Sequence, residues 1–210
     1  MTLAIASPSK TSSLSSSKPS SNKLMTIKDY LNYDDGTDTR YELVNGELVE
    51  MPTESFGNIG IAKFLLFEFA KYVPLMLIVY NTEIEVLGRR STCRIPDLLI
   101  LSEESAEVLL ASTRNLIAID MPSPVLVVEV VSLGQENRDR DYRYKRTEYA
   151  ARGINEYWII DPEICQITIC LWVDGQYEDK IFTGDMQITS TVVSDFALTV
   201  TEILAFGHSK

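Results

Sequence analysis

Apolar and polar positions along this chain repeat with two different periods, and the switches between them mark out its elements. Thr26-Ile-Lys-Asp29 has the form of a capping box and predicts a short helix to about Leu31. Two alternating runs, Tyr41–Val44 and Glu47–Glu50, flank Asn45-Gly46, a strong hairpin signal. From Phe56 to Val73 apolar residues return at helical spacing (Ile61, Leu65, Phe69, with Phe64 and Phe67), predicting a long amphipathic helix. Leu77–Val86 and Ile95–Leu101 read as strands, and the nearly continuous apolar run Val125–Val131 as a buried central strand. Arg138–Arg152 predicts a helix that Gly153 ends, and Tyr157–Ile160 a further strand. Ile164–Val173 and Gln176–Thr183 form a second hairpin around Asp174-Gly175. Helices between strands predict an α/β (α+β) domain, a mixed central sheet flanked by helices with additional β-hairpins. No internal repeat is visible.

Composition divides the 210 residues into a tail and a domain. Residues 1–23 hold nine Ser, two Pro and three Lys, with no acidic and no aromatic residue. Such a segment buries too little apolar surface to offset its chain entropy, so a disordered tail is expected, followed by one domain over 24–210. The apolar stretch Leu3–Ala6 is too short for a signal peptide, and no run approaches the length of a membrane span. Without the three tail lysines, sixteen basic residues face thirty acidic ones, so the domain carries −14. That charge excludes a polybasic mode of nucleic-acid binding; contact with DNA then needs a local basic patch or bound metal ions. Three cysteines without a Cys-x-x-Cys pair, and one histidine at position 208, are too few soft ligands for a structural zinc site. The cysteines fit small core residues in a reducing, cytoplasmic setting. A Ser–His–Asp hydrolase is excluded on the same ground, which leaves chemistry based on carboxylates, lysine and a hard cation.

Two carboxylates interrupt otherwise apolar strands. Asp97 follows Pro96 in Ile-Pro-Asp-Leu-Leu-Ile-Leu, and Glu129 lies within Val-Leu-Val-Val-Glu-Val-Val. Desolvating such an ion costs several kcal/mol unless it is paired, protonated or metal-bound. One buried acid can be a structural hydrogen-bond acceptor; two on candidate neighbouring strands point to a cation site. Downstream, Asp141, Lys145, Tyr149 and Gly153 recur every four residues and form one stripe on a helix. The segment 138–152 holds six basic residues against three acids, the one basic concentration in an acidic domain and a candidate phosphate-facing surface.

These elements together resemble a known family. Pro96-Asp97, Glu129-Val-Val, then Asp141, Lys145, Tyr149 and Gly153-Ile-Asn-Glu156-Tyr-Trp158-Ile-Ile-Asp161-Pro162, together with the opening segment Asp34–Pro52, resemble the Uma-two family of restriction endonucleases. The resemblance runs from about Thr26 to Phe206 and implies the restriction-endonuclease-like core of the PD-(D/E)XK nucleases. It implies cleavage of DNA phosphodiester bonds with Mg²⁺, or Mn²⁺ in its place. Asp97 and Glu129 would be the metal ligands, helped by the Val130 carbonyl, with Glu42 acting through a water. Two positions depart from the pattern: the lysine usually found two residues after the glutamate is Val131 here, and Asn58 stands near where many members carry a histidine. Lys145 is the expected replacement, since its helix follows the Glu129 strand after a short connection and its stem is long. Tyr149 is expected to pack rather than react.

A duplex has two strands, so a cutter with one site per chain most simply acts as a two-fold homodimer. The rival expectation is a catalytically inert nuclease fold kept for binding or assembly, favoured by Val131 and the negative charge. A carboxylate-only glycosidase fits less well beside a basic stripe.

Overall fold

The computed structural model describes residues 24–207; the serine-rich segment expected to be a disordered tail lies outside the described residues, as does His208. The chain forms two mixed sheets. The six-stranded sheet is built, in spatial order, from β11 (Gln176–Thr183), β10 (Gln166–Val173), β9 (Glu156–Asp161), β8 (Leu126–Val130), β6 (Leu98–Ile100) and β3 (Ile78–Val79). The five-stranded sheet orders β2 (Glu47–Glu50), β1 (Tyr41–Val44), β5 (Thr92–Arg94), β4 (Glu83–Val86) and β7 (Leu116–Ile117). β8 and β9 run parallel at the centre of the larger sheet, joined by the helical crossover 135–152 that a parallel pair requires.

The mixed class agrees with the sequence reading; the number of sheets does not. Leu77–Val86 divides into β3 and β4, which belong to different sheets. Between them Asn81 takes a left-handed φ of 53°, tolerated by its short polar side chain. Its side-chain oxygen accepts from Arg40 and its carbonyl from Asn115 Nδ2. Ile95–Leu101 shortens to β6, and the strand before it, β5, was not read from the sequence; Pro96, with no N–H to give a ladder, lies between the two. Asp97 therefore sits where the chain passes from one sheet to the other. The first hairpin belongs to the smaller sheet, and the second extends the larger one. Both turn as Asn-Gly and Asp-Gly predict, with Asn45, Gly46, Asp174 and Gly175 all at positive φ.

α1 (Ile27–Leu31) opens with the expected capping box on Thr26. α2 (Phe56–Phe69) ends one turn earlier than its periodicity suggested, and of the residues that defined it Ile61, Leu65 and Phe69 are buried while Phe67 is exposed. α3 (Glu103–Ala111) and a short C-terminal α6 (Val200–Leu204) were not legible in the pattern. The crossover contains α4 (Gln135–Asp139), a π-helical stretch Arg140–Lys145, and α5 (Arg146–Arg152), closed by Gly153 at φ 76°.

Strand alternation sorts β8 onto two cores. Leu126, Val128 and Val130 face one cluster with α2 and the C-terminal segment. Val127 and Val131 face the other, with Tyr149, Tyr157 and residues of the smaller sheet. Glu129 shares this second face, which places it between the two sheets and the crossover helix.

Candidate active site

The larger sheet brings the two strand carboxylates together. Leu98 pairs with Val128 in the antiparallel β6–β8 ladder, so the register carried one step further sets Asp97 opposite Glu129. The Val130 amide donates to Asp97 Oδ2 at 2.7 Å, which fixes the aspartate against β8. Glu129 is buried, and its Oε1 receives the Tyr149 hydroxyl at 2.8 Å and lies 2.7 Å from Lys145 Nζ. Among the described residues, no hydrogen bond is donated to Asp97 Oδ1 or Glu129 Oε2.

The crossover helix supplies the cation. Lys145 is buried, with Nζ 2.7 Å from Glu129, 3.5 Å from Asp141 and 3.8 Å from Glu42. The widened π turn carries both Asp141 and Lys145 inward, and Tyr149 follows one turn on, so the four-residue stripe faces the site. Asp141, fully buried, also accepts Arg140 Nε at 3.0 Å and Arg140 Nη2 at 3.2 Å. Tyr149 packs as expected, with its ring in the core, and its hydroxyl is in addition a hydrogen-bond partner of Glu129.

The smaller sheet closes the other side. Glu42 and Arg94 stand opposite one another on β1 and β5, one step from the Leu43–Cys93 pair. Arg94 is 2% exposed and grips Glu148 bidentately at 2.8 and 2.9 Å, while its third nitrogen donates to Glu42 at 2.9 Å. One guanidinium thus ties β1, β5 and α5 together. Removing one partner of a buried ionic network leaves uncompensated charge, at a cost of roughly 3–5 kcal/mol. Arg94→Met is expected to lower the urea midpoint accordingly, whereas Arg114→Met, which breaks a half-exposed pair with Glu83, should cost no more than about 1 kcal/mol. Equal losses in the two variants would contradict a central role for Arg94.

Burial dominates the acid–base character of the centre. It pushes the Asp97 carboxyl up to about 6 against the Val130 amide, with Glu54 adding repulsion. It pushes Glu129 up to about 8, with Lys145 opposing and Asp141, Asp97 and Glu42 reinforcing. For Glu42 burial also acts upward, but Lys145, Arg94 and the Ile95 amide outweigh it and hold this carboxyl below its ordinary value. Burial lowers and the carboxylates raise the affinity of Lys145 for its proton, and the carboxylates win. A carboxyl that binds its proton more tightly folded than unfolded stabilises the fold only while protonated. The gain from Glu129 is complete below its ordinary value of 4.5 and gone above about 8. Metal-free protein in EDTA is therefore expected to lose stability between pH 5 and 8, and Glu129→Gln to flatten that slope, as read by urea titration at each pH. A stability that rises across this window would contradict it.

The basic surface expected over 138–152 does not form. Arg138 pairs with Asp161 and Glu163, Arg146 with Asp179, and Lys145 is buried among acids. Arg152 donates to the carbonyls of Ala118 and Met121. Folding spends Arg138, Arg146 and Lys145 on acids from distant segments and leaves Arg143 the most exposed of the paired bases. Nor do three or more His, Cys, Asp or Glu side chains converge into a ready-made metal group among the described residues. The Val130 carbonyl accepts the Asn58 side-chain amide at 3.3 Å, so a cation at that oxygen would share it.

A family model described as "Putative restriction endonuclease", Uma2, matches residues 27–201. The chain belongs to the Uma2 family. No curated protein matches it. Among solved structures, a putative nuclease belonging to DUF820 from Anabaena variabilis ATCC 29413 is similar over 88% of this chain and 99% of that one. The TM-score is 0.67 at 14% identity, a likeness that shows the fold.

In this Uma2 protein the position two after Glu129 is a core valine, and the amine on Glu129 comes from the crossover helix instead. Sequence reasoning missed Arg94 and the half-buried Glu54, and counted Arg140 and Glu148 only within the charge run of 138–152. An arginine inside the short run before Pro96 was the available signal for Arg94, being as anomalous in a strand as Asp97 itself. No helix in the described residues is long and apolar enough to cross a membrane.

Proposed function

We propose that this Uma2 protein is a metal-dependent endonuclease of the PD-(D/E)XK type that hydrolyses DNA phosphodiester bonds, with Mg²⁺ as its cation and Mn²⁺ able to replace it. The observation that carries this reading is the facing pair Asp97–Glu129, each held by one oxygen with the other free of protein donors, beside a buried lysine. The donor set fits Mg²⁺, which binds through one or two carboxylates and keeps several of its waters. Charge fits too. With all groups ionised, Glu42, Asp97, Glu129, Asp141 and Glu148 face Arg94, Lys145 and Arg140, leaving two negative charges before Glu54 at the rim is counted.

When bound, the cation would polarise the phosphate and acidify a water. The protein's own groups have separate tasks. Asp97 and Glu129 would hold the cation by their free oxygens, with the Val130 carbonyl as a further ligand. Lys145 opposes the effect of burial on Glu129 and would orient the attacking water. Glu42 has both oxygens on protein donors, so we assign it to holding Lys145 rather than to a water-mediated contact. Tyr149 fixes the Glu129 rotamer. Supercoiled plasmid incubated with Mg²⁺ or Mn²⁺ is expected to be nicked or linearised. An absence of both cleavage and calorimetric Mn²⁺ binding would overturn the proposal in favour of an inert scaffold.

The same reading takes the working unit as a homodimer, one site per strand of the duplex, in the reducing cytoplasm where free thiols such as the exposed Cys165 persist. Sedimentation at micromolar concentration should show the dimer; a monomer throughout would remove that part.

A further inference from the structure

If the charges of the crossover helix are mostly spent on internal pairs, the site still needs a cation to meet the substrate's phosphate. Lys145 is poorly suited. Its ammonium is 4% exposed and surrounded by Glu129, Asp141 and Glu42. Arg138 and Arg146 are committed to acids at the end of β9, just after it, and on β11. Arg140 differs on two counts.

Its first distinction is place. Glu129 lies near the C-terminal end of β8, Asp97 at the matching start of β6, and the crossover helix begins at that same end of the sheet. Arg140 opens the π-helical stretch, so it stands nearer that end than Lys145 or Tyr149. Its side chain is 28% exposed, while the Asp141 carboxylate that it grips is fully buried. A chain of ionic contacts therefore runs from Glu129 through Lys145 and Asp141 to Arg140, from the interior to solvent.

The second is donor capacity. A guanidinium has five N–H groups. Arg140 uses Nε and one Nη2 hydrogen on Asp141, and one Nη1 hydrogen on Asn137 Oδ1 at 2.9 Å. Two N–H groups, one on each terminal nitrogen, remain without a partner among the described residues. Arginine holds phosphates with N–H groups of this kind, and Arg140 can offer them without releasing Asp141.

We propose that Arg140 is the residue that contacts the phosphate of a bound nucleic acid at the mouth of this site, with Asp141 and Asn137 holding the guanidinium in place. The inference rests on the nuclease reading given above and names the group that grips its substrate. It also explains how a domain of charge −14 tolerates a phosphodiester at an acidic centre: one pre-oriented fork stands at the entrance instead of a diffuse basic patch.

The test is fluorescence anisotropy with a labelled 20-base-pair DNA duplex, in EDTA and in an Asp97→Ala background so that the probe stays intact. Arg140→Gln is expected to weaken binding about tenfold and to reduce the steepness of the salt dependence by about one unit. Arg140→Lys, which keeps the charge and loses the fork, should retain the salt slope while still binding more weakly. Arg143→Gln removes an exposed cation 3.9 Å from Asp139 and should change affinity less than twofold. Should Arg140→Gln fail to fold, as judged by its melt, Arg140→Lys against Arg143→Lys gives the same comparison. Equal effects at positions 140 and 143, or an unchanged affinity in Arg140→Gln, overturn the assignment alone. A parent protein that neither binds the duplex nor, with Asp97 restored, cleaves plasmid overturns the nuclease reading and this assignment with it.

Discussion

Asp97→Ala is expected to reduce Mg²⁺-dependent plasmid cleavage by on the order of a thousandfold, the loss that follows when several kcal/mol of metal-borne stabilisation are removed. The same substitution should leave the fold almost untouched, and this contrast gives the experiment its force. Burial raises the carboxyl of Asp97 to about 6, so at neutral pH its charge is a burden that the fold carries. What alanine loses is the hydrogen bond from the Val130 amide, about 1 kcal/mol, and part of that returns as relieved repulsion from Glu54. A melt within a few degrees of the parent, with cleavage and Mn²⁺ binding both lost, is the expected combination. Undiminished cleavage in Asp97→Ala would remove the metal site from this position altogether.

The elements of the larger sheet were legible because burial on both faces leaves an apolar run that only a central strand explains. That is why Val125–Val131 was readable, and why Glu129 within it was conspicuous. The two sheets were not legible, because the signal that separates β3 from β4 is a single residue, Asn81, inside a run that satisfies strand periodicity throughout, and the three-residue β5 ahead of Pro96 was too short to register as a strand. Periodicity reports that a segment is extended but not which ladder it joins. The consequence reaches the site: with one sheet assumed, Glu42 was a hairpin carboxylate of uncertain place, whereas the second sheet sets it across from Arg94 and against Lys145.

The crossover helix shows the opposite balance. The spacing of Asp141, Lys145 and Tyr149 was enough to place all three on one face, and they converge on Glu129 even though the helix there is π rather than α. Charge counting along the sequence failed on the same segment. Two of its six basic residues, Arg138 and Arg146, meet acids 23 to 33 residues away that a local window does not see: Asp161, Glu163 and Asp179.

Lys145→Met should have the second large effect, and the structure changes what that effect includes. A lysine that served cleavage alone could be lost with the fold intact, and an ordinary surface pair with Asp141 would contribute only roughly 0.3–0.5 kcal/mol. The Lys145 ammonium is instead buried, nearest to Glu129 at 2.7 Å, with Asp141 at 3.5 Å and Glu42 at 3.8 Å. Removing it strands acids in the interior, which costs about 3 kcal/mol or more unless a proton or metal ion takes its place. Glu129, whose carboxyl burial already lifts to about 8, would be lifted further without the lysine that opposes the shift. The destabilisation should therefore be smaller near pH 5.5, where Glu129 is protonated with or without the lysine, and larger toward pH 8 and above, where the parent ionises Glu129 beside Lys145 and the variant, whose carboxyl keeps its proton, loses that pair. Mn²⁺ should recover much of the stability at pH 8 by replacing the missing positive charge, while cleavage stays abolished because no amine remains to orient the water. Circular-dichroism melts at both pH values, with EDTA and with Mn²⁺, separate these contributions. An active Lys145→Met protein, or a stability loss of a few tenths of a kcal/mol independent of pH, would return Lys145 to an ordinary ion pair with Asp141.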